Sequence, residues 1–290
     1  HGGAYSNGTS NELLTDGCRL SKRGNVVVVT VNHRLNIFGY LYLGELGGAK
    51  YKESGNVGML DLVLALQWVK DNIEEFGGDP SNVTIFGQSG GGAKCATLMA
   101  MPAARGLFHK VLTMSGQQLT GRRKEAATGT ARKVLQFLHI SPDSLDQLNT
   151  VPTATLIEAI QKQYFGPVTD GVVLPRDPFD PDASELSSDI PMIMGNTRFE
   201  TATLIGISDT ITFSLEWHEV SPKLLQHVPQ FLGNLQPDSL VTLYRQWYPE
   251  YSASDVFFAI STAARSWRSM LLQAERRALY HKAPTYVYYF

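Results

Sequence analysis

The sequence predicts an α/β chain: a mostly parallel central sheet with helices on both faces and helical insertions. Three observations carry this. Val26-Val27-Val28-Val29 extends through Thr30 to Val31, the pattern of a strand buried on both faces of a parallel sheet. Strand-like and helix-like stretches alternate from residue 25 to residue 114, as β-α-β crossovers require. The stretch Phe86-Gly87-Gln88-Ser89-Gly90-Gly91-Gly92 stands where one such strand gives way to one such helix.

Each element follows in order. Residues 25–31 are the first expected strand. Residues 56–76 read as a helix, with Leu60, Val63, Leu64, Trp68 and Ile73 near helical spacing. Gly77 is its expected C-terminal cap and Pro80 its stop. Asn82-Val83-Thr84-Ile85-Phe86 is the second strand, 90–101 the second helix and Val111-Leu112-Thr113-Met114 the third strand. Residues 119–165 turn helix-like, with Ser141-Pro142-Asp143 as a helix start. Ile190 to Gly195 returns to strand, 206–283 is mostly helical, and 284–290 is a final strand.

The bulk numbers suit a large core. The chain has 290 residues, 43% hydrophobic and 18% charged, with a formal net charge of −2. No Lys/Arg run or acidic tail points to nucleic acid or anionic membrane. The longest apolar run is too short to span a bilayer. The two cysteines, Cys18 and Cys95, form no framework, and Cys95 reads as a buried small hydrophobe. The seven histidines show no metal-ligand spacing, so no metal site is expected, and the serine chemistry described below would call for no cofactor.

Chemistry is concentrated at two glycine-rich stretches. Gly87-x-Ser89-x-Gly91 fits G-x-S-x-G between strand and helix, where a serine is held in a strained turn that exposes its Oγ. A plain glycine-rich turn is the alternative. A nucleophilic serine generates an oxyanion, which needs preorganised donors. His1-Gly2-Gly3-Ala4 has the form of an HGGG-type loop, whose small residues let backbone amides approach a substrate. Gly3, Ala4 and Gly90 are the candidate donors.

With these motifs in place, the chain resembles the type-B carboxylesterase family of α/β-hydrolases, which includes cholinesterases and p-nitrobenzyl-type esterases. The resemblance lies in HGGAYSNGTS, VVVVTVNHRLNIFGYL, GNVGMLDLVLALQWVKDNIEEFGGDPSNVTIFGQSGGG and MPAARGLFHKVLTMSG, and returns at FGPVTDGVVLPRDP and PMIMGNTRFETATLIG. It implies part of one α/β-hydrolase domain over 1–290. That domain would comprise a core at 1–118, a helical insertion and return at 119–188, a strand and acid loop at 189–205, a helical region at 206–283 and a core strand at 284–290. It also implies cleavage of small-molecule carboxylic esters through an acyl-enzyme.

The resemblance assigns the triad acid to Glu200, in Gly195-Asn196-Thr197-Arg198-Phe199-Glu200, although Thr201 stands where the family has glycine. Asp170 and Asp189 are rivals, and Asp170 is read instead as a turn residue before Gly171. Ser115 is assigned a hydrogen bond to the acid. The family's catalytic histidine lies beyond the strand that 285–290 resembles. His218, His227 and His281 do not occupy that slot, and His218 and His227 are read as surface residues. His109 is expected to be structural and His33 to pack.

The opening His1-Gly2-Gly3 without methionine and the abrupt apolar end at Phe290 read as cuts through buried structure, so the base is expected beyond residue 290. Localisation and oligomeric state stay open, and Asn7-Gly8-Thr9 and Asn82-Val83-Thr84 are sequons only in a secreted eukaryotic protein. Carbamate or amide cleavage, or a non-catalytic binding role as in neuroligin-like proteins, are the alternatives.

Overall fold

In the computed structural model, residues 1–160 and 163–290 are described. The expected helical stretch 119–165 therefore includes two positions, 161 and 162, outside the described residues. Among the described residues, four strands form one sheet in the order β1 (Thr84–Gln88), β2 (Lys110–Met114), β3 (Met192–Asn196) and β4 (Thr285–Tyr289). β1 and β2 pair in parallel, from Thr84 opposite Lys110 to Gln88 opposite Met114. A parallel pair needs a crossover, and the helix Gly90–Leu98 supplies it. All nine of its residues are buried.

The chain divides into two compact units. The first comprises His1–Ile193 and Arg276–Thr285. Its interior holds Tyr40, Met59, Ala96, Met99, Met101 and Val111, each almost fully buried. Arg277 is also buried there and donates to the carbonyl of Ser187 at 3.2 Å and to that of Ile190. These two bonds offset part of the cost of burying the guanidinium, although its Nε is buried without a partner.

The second unit comprises Met194–Glu275 and Tyr286–Phe290. The helices Trp217–His227, Pro237–Trp247 and Ala253–Thr262 enclose Val220, Leu224, Val256, Phe257 and Ile260. Ser252 starts the last of these with a capping box, its Oγ accepting from the Asp255 amide at 3.2 Å while Asp255 accepts from the Ser252 amide at 3.0 Å. A π-helical turn at Ala263–Trp267 follows, then the helix Arg268–Ala278.

Two readings of the sequence need correction. No strand forms over 25–31, and Val26, Val27 and Val29 are exposed. A strand exists only through pairing, and none of the four strands pairs with this stretch. The 56–76 helix does form, as Val57–Asn72 followed by a 3-10 turn at Ile73–Phe76. Its buried face, however, runs through Met59, Leu66, Val69 and Ile73, whereas Leu64 is 70% exposed and Trp68 46%. Apolar residues surround this helix on every side, so periodicity alone does not select the buried face. Gly77 ends the segment in left-handed backbone, at φ 77°.

Candidate active site

The site begins with backbone. Ser89 follows the last residue of β1 and caps the helix Gly90–Leu98, at φ 53° and ψ −122°. Such a conformation costs a non-glycine residue about 1–3 kcal/mol and persists only where surroundings enforce it. Here the Ser89 amide donates to the Met114 carbonyl at 2.8 Å, and the Ser89 carbonyl accepts from Ala93 at 3.0 Å. One bond ties the turn to β2 and the other to the helix. Tightness of the turn dictates Gly87, since a Cβ there would lie 2.4 Å from the Gly91 carbonyl carbon. The result is a half-buried serine at a helix N-terminus, where partial positive charge favours an anion.

Gly3 and Ala4 both take left-handed backbone, at φ 79° and 53°. The turn is closed by the amides of Ser6 and Asn7, both donating to the Gly3 carbonyl at 3.1 Å. The loop lies against the serine turn: a Cβ on Gly2 would be 3.6 Å from Ser89 Cβ, and one on Gly90 would be 2.5 Å from the Ala4 nitrogen. Among the described residues, the amides of Gly3, Ala4 and Gly90 donate no backbone hydrogen bond. Ser89, Gly90, Gly3 and Ala4 are thus brought together within the first unit. Ser115 belongs to the same unit and follows β2 in left-handed backbone, at φ 54°.

Glu200 stands in the second unit, at the start of the helix Glu200–Leu204, four residues after β3 ends. Its Oε1 accepts from the Thr197 amide at 2.8 Å, which fastens the strand-to-helix turn. Arg265 is half-buried in the π-helical turn; burial lowers its pKa and the Glu200 charge opposes that shift. Thr201 departs from the family's glycine for a visible reason. It is fully buried, with its Oγ1 3.2 Å from the Phe258 carbonyl, 2.6 Å from Ser261 Oγ and 3.0 Å from Thr262 Oγ1. Its hydroxyl therefore ties the Glu200 helix to the helix Ala253–Thr262.

The remaining candidates have structural partners. Asp170 is buried, and its Oδ1 accepts from the amides of Val172, Val173 and Leu174 at 2.8–3.0 Å while Oδ2 accepts from Asn56. It is a loop anchor. His109 Nδ1 accepts from the Val83 amide at 3.1 Å, at the threshold of β1. His33 packs edge-on against His1, with ring centres 4.7 Å apart. Burial foremost, and then the nearby Lys94 charge, lower its pKa to about 4. His227 is not a plain surface residue: its Nε2 lies 2.8 Å from Asp209 Oδ2, which also accepts from Lys223 Nζ at 2.6 Å. His218 and His281 are exposed. Cys95 is buried and Cys18 exposed, both as free thiols. Among the described residues no three His, Cys, Asp or Glu side chains gather to hold a metal ion, and no helix is long and apolar enough to cross a membrane.

An arrangement of this kind can hold a negatively charged oxygen next to a serine, which is what acyl transfer demands. Comparison with known proteins bears on the same chemistry. Residues 1–290 match the family described as the carboxylesterase family. The chain is 37% identical to the para-nitrobenzyl esterase of Bacillus subtilis (strain 168), over 100% of this chain and 58% of that protein. Human neuroligin-2 is 37% identical over 61% of this chain and 22% of its own length. Among solved structures, the carboxylesterase EST55 of Geobacillus stearothermophilus at pH 6.2 superposes with a TM-score of 0.86 at 35% identity, over 100% of this chain and 60% of that one. The fold is that of the α/β-hydrolases. The chain spans 58% of the length of the Bacillus esterase.

Proposed function

Given that this chain belongs to the carboxylesterase family, we propose that the protein hydrolyses carboxylic esters through an acyl-enzyme formed on Ser89. Ser89 Oγ attacks the ester carbonyl carbon and its proton passes to a histidine imidazole. The carbonyl oxygen, now negative, is held by the amides of Gly3, Ala4 and Gly90. The tetrahedral intermediate collapses, the alkoxide leaves with the imidazole's proton, and the acyl group stays on Ser89. Water then attacks the acyl carbon by the same route and frees the serine. Glu200 orients the imidazole and stabilises its charged form.

The observation that carries this reading is the strained backbone of Ser89, held between β1 and a buried helix with Gly90 seated against Ala4. Strained backbone of this kind clusters at active sites. The test is turnover of p-nitrophenyl esters by the full-length protein and its Ser89→Ala variant. Loss of about a thousandfold or more in kcat is expected. Turnover retained within about tenfold would remove Ser89 from the mechanism.

A further inference from the structure

The helix that begins beside Ser89 carries a lysine on its buried length. Lys94 is 3% exposed, a rare setting for its charge. Its Nζ donates to the carbonyl of Ala4 at 2.7 Å and to that of His1 at 3.3 Å, and it stands 5.5 Å from the centre of the Tyr5 ring. Among the described residues it forms no ion pair. A buried ammonium held only by neutral groups costs stability. Burial lowers its pKa to about 8, which leaves it mostly cationic at pH 7.

The two carbonyls it binds are informative. The His1 carbonyl belongs to the peptide group joining residues 1 and 2, and the Ala4 carbonyl to the group joining 4 and 5. Between them lie two peptide groups, which carry the amides of Gly3 and Ala4. Those amides sit in left-handed backbone that relaxes unless it is restrained. A cation bonded to the carbonyls on both sides resists the rotation that would turn the two amides away. We infer that Lys94 is a positioning residue of the oxyanion site, clamping the His1–Ala4 loop so that the Gly3 and Ala4 amides stay aimed at the substrate oxygen. This inference rests on the esterase reading above.

The experiment compares wild-type, Lys94→Met and Lys94→Gln forms of the full-length protein. Active sites are counted by organophosphate titration, kcat and KM are measured on p-nitrophenyl acetate, and Ki is measured for a trifluoromethyl ketone, whose adduct with serine carries the oxyanion. For Lys94→Met, kcat per titrated site is expected to fall about 10–100-fold, Ki to rise by a similar factor, and KM to stay within about threefold. Lys94→Gln, which keeps one side-chain donor group, is expected to fall between the two and decides the matter if Lys94→Met does not fold. A kcat per titrated site and a Ki both within about threefold of wild type would overturn the clamp, whatever the thermal midpoint does. Ser89→Ala separates the two claims. If that variant is dead and the Lys94 variants are unaltered, only the clamp fails. If Ser89→Ala retains turnover, the esterase reading fails and the clamp with it.

Discussion

Gly90 and Ala4 meet backbone to backbone: a Cβ on Gly90 would lie 2.2 Å from the Ala4 carbonyl oxygen and 2.5 Å from its nitrogen. No side chain can relieve that overlap, so the loop and the serine turn share one fixed contact. Gly90→Ala must push the loop away and take the Ala4 amide with it. The expected result is a fall in kcat of about a hundredfold or more in the full-length protein, comparable to loss of one oxyanion donor. Steady-state kinetics on p-nitrophenyl esters measures it.

Gly77 provides the contrast. It too is left-handed, at φ 77°, but a Cβ there would meet nothing within 4 Å. Gly77→Ala should therefore cost backbone strain alone, about 1 kcal/mol of stability, and leave kcat unchanged. Urea unfolding with parallel kinetics separates the two glycines.

Thr201 is predicted to matter for stability through its hydroxyl. Thr201→Val keeps the shape and removes the link to Phe258, Ser261 and Thr262. A loss of about 1–3 kcal/mol is expected, read by urea unfolding. If the helix also positions Glu200, kcat should fall while KM holds.

His33 sets a pH dependence. Its folded pKa is about 4 against an ordinary value of 6.5, so the folded chain prefers it neutral. Its contribution to stability is complete above pH 6.5 and is lost progressively as pH falls from 6.5 towards 4, because only the unfolded chain takes up the proton there. His33→Phe should flatten that part of the stability curve. Unfolding midpoints measured between pH 4 and pH 7 show whether it does.

What the sequence made legible was decided by backbone. Gly87, Gly90 and the HGGA loop are required by close approach of one chain segment to another, and such demands leave glycine at fixed spacing. The parallel pairing of β1 and β2 around a buried helix was legible for a similar reason, since strand and helix patterns alternate there. Other features depend on neighbours that no local pattern names. The buried face of Val57–Asn72 could not be read because both faces are apolar. Strand formation at 25–31 depends on a partner, and the valine run does not specify one. Lys94 lies outside the serine motif, and only the distances from Nζ to the His1 and Ala4 carbonyls give it a role. Thr201 looked like a departure until its buried hydroxyl partners came into view.

The central claim is that Ser89 is the nucleophile. The most direct test is covalent labelling of the full-length protein with diisopropyl fluorophosphate, followed by peptide mass spectrometry. One phosphoryl group per chain is expected, on the peptide that contains Ser89, with esterase activity lost in step with labelling. Label on a different residue, or full inactivation with the Ser89 peptide unmodified, would contradict it.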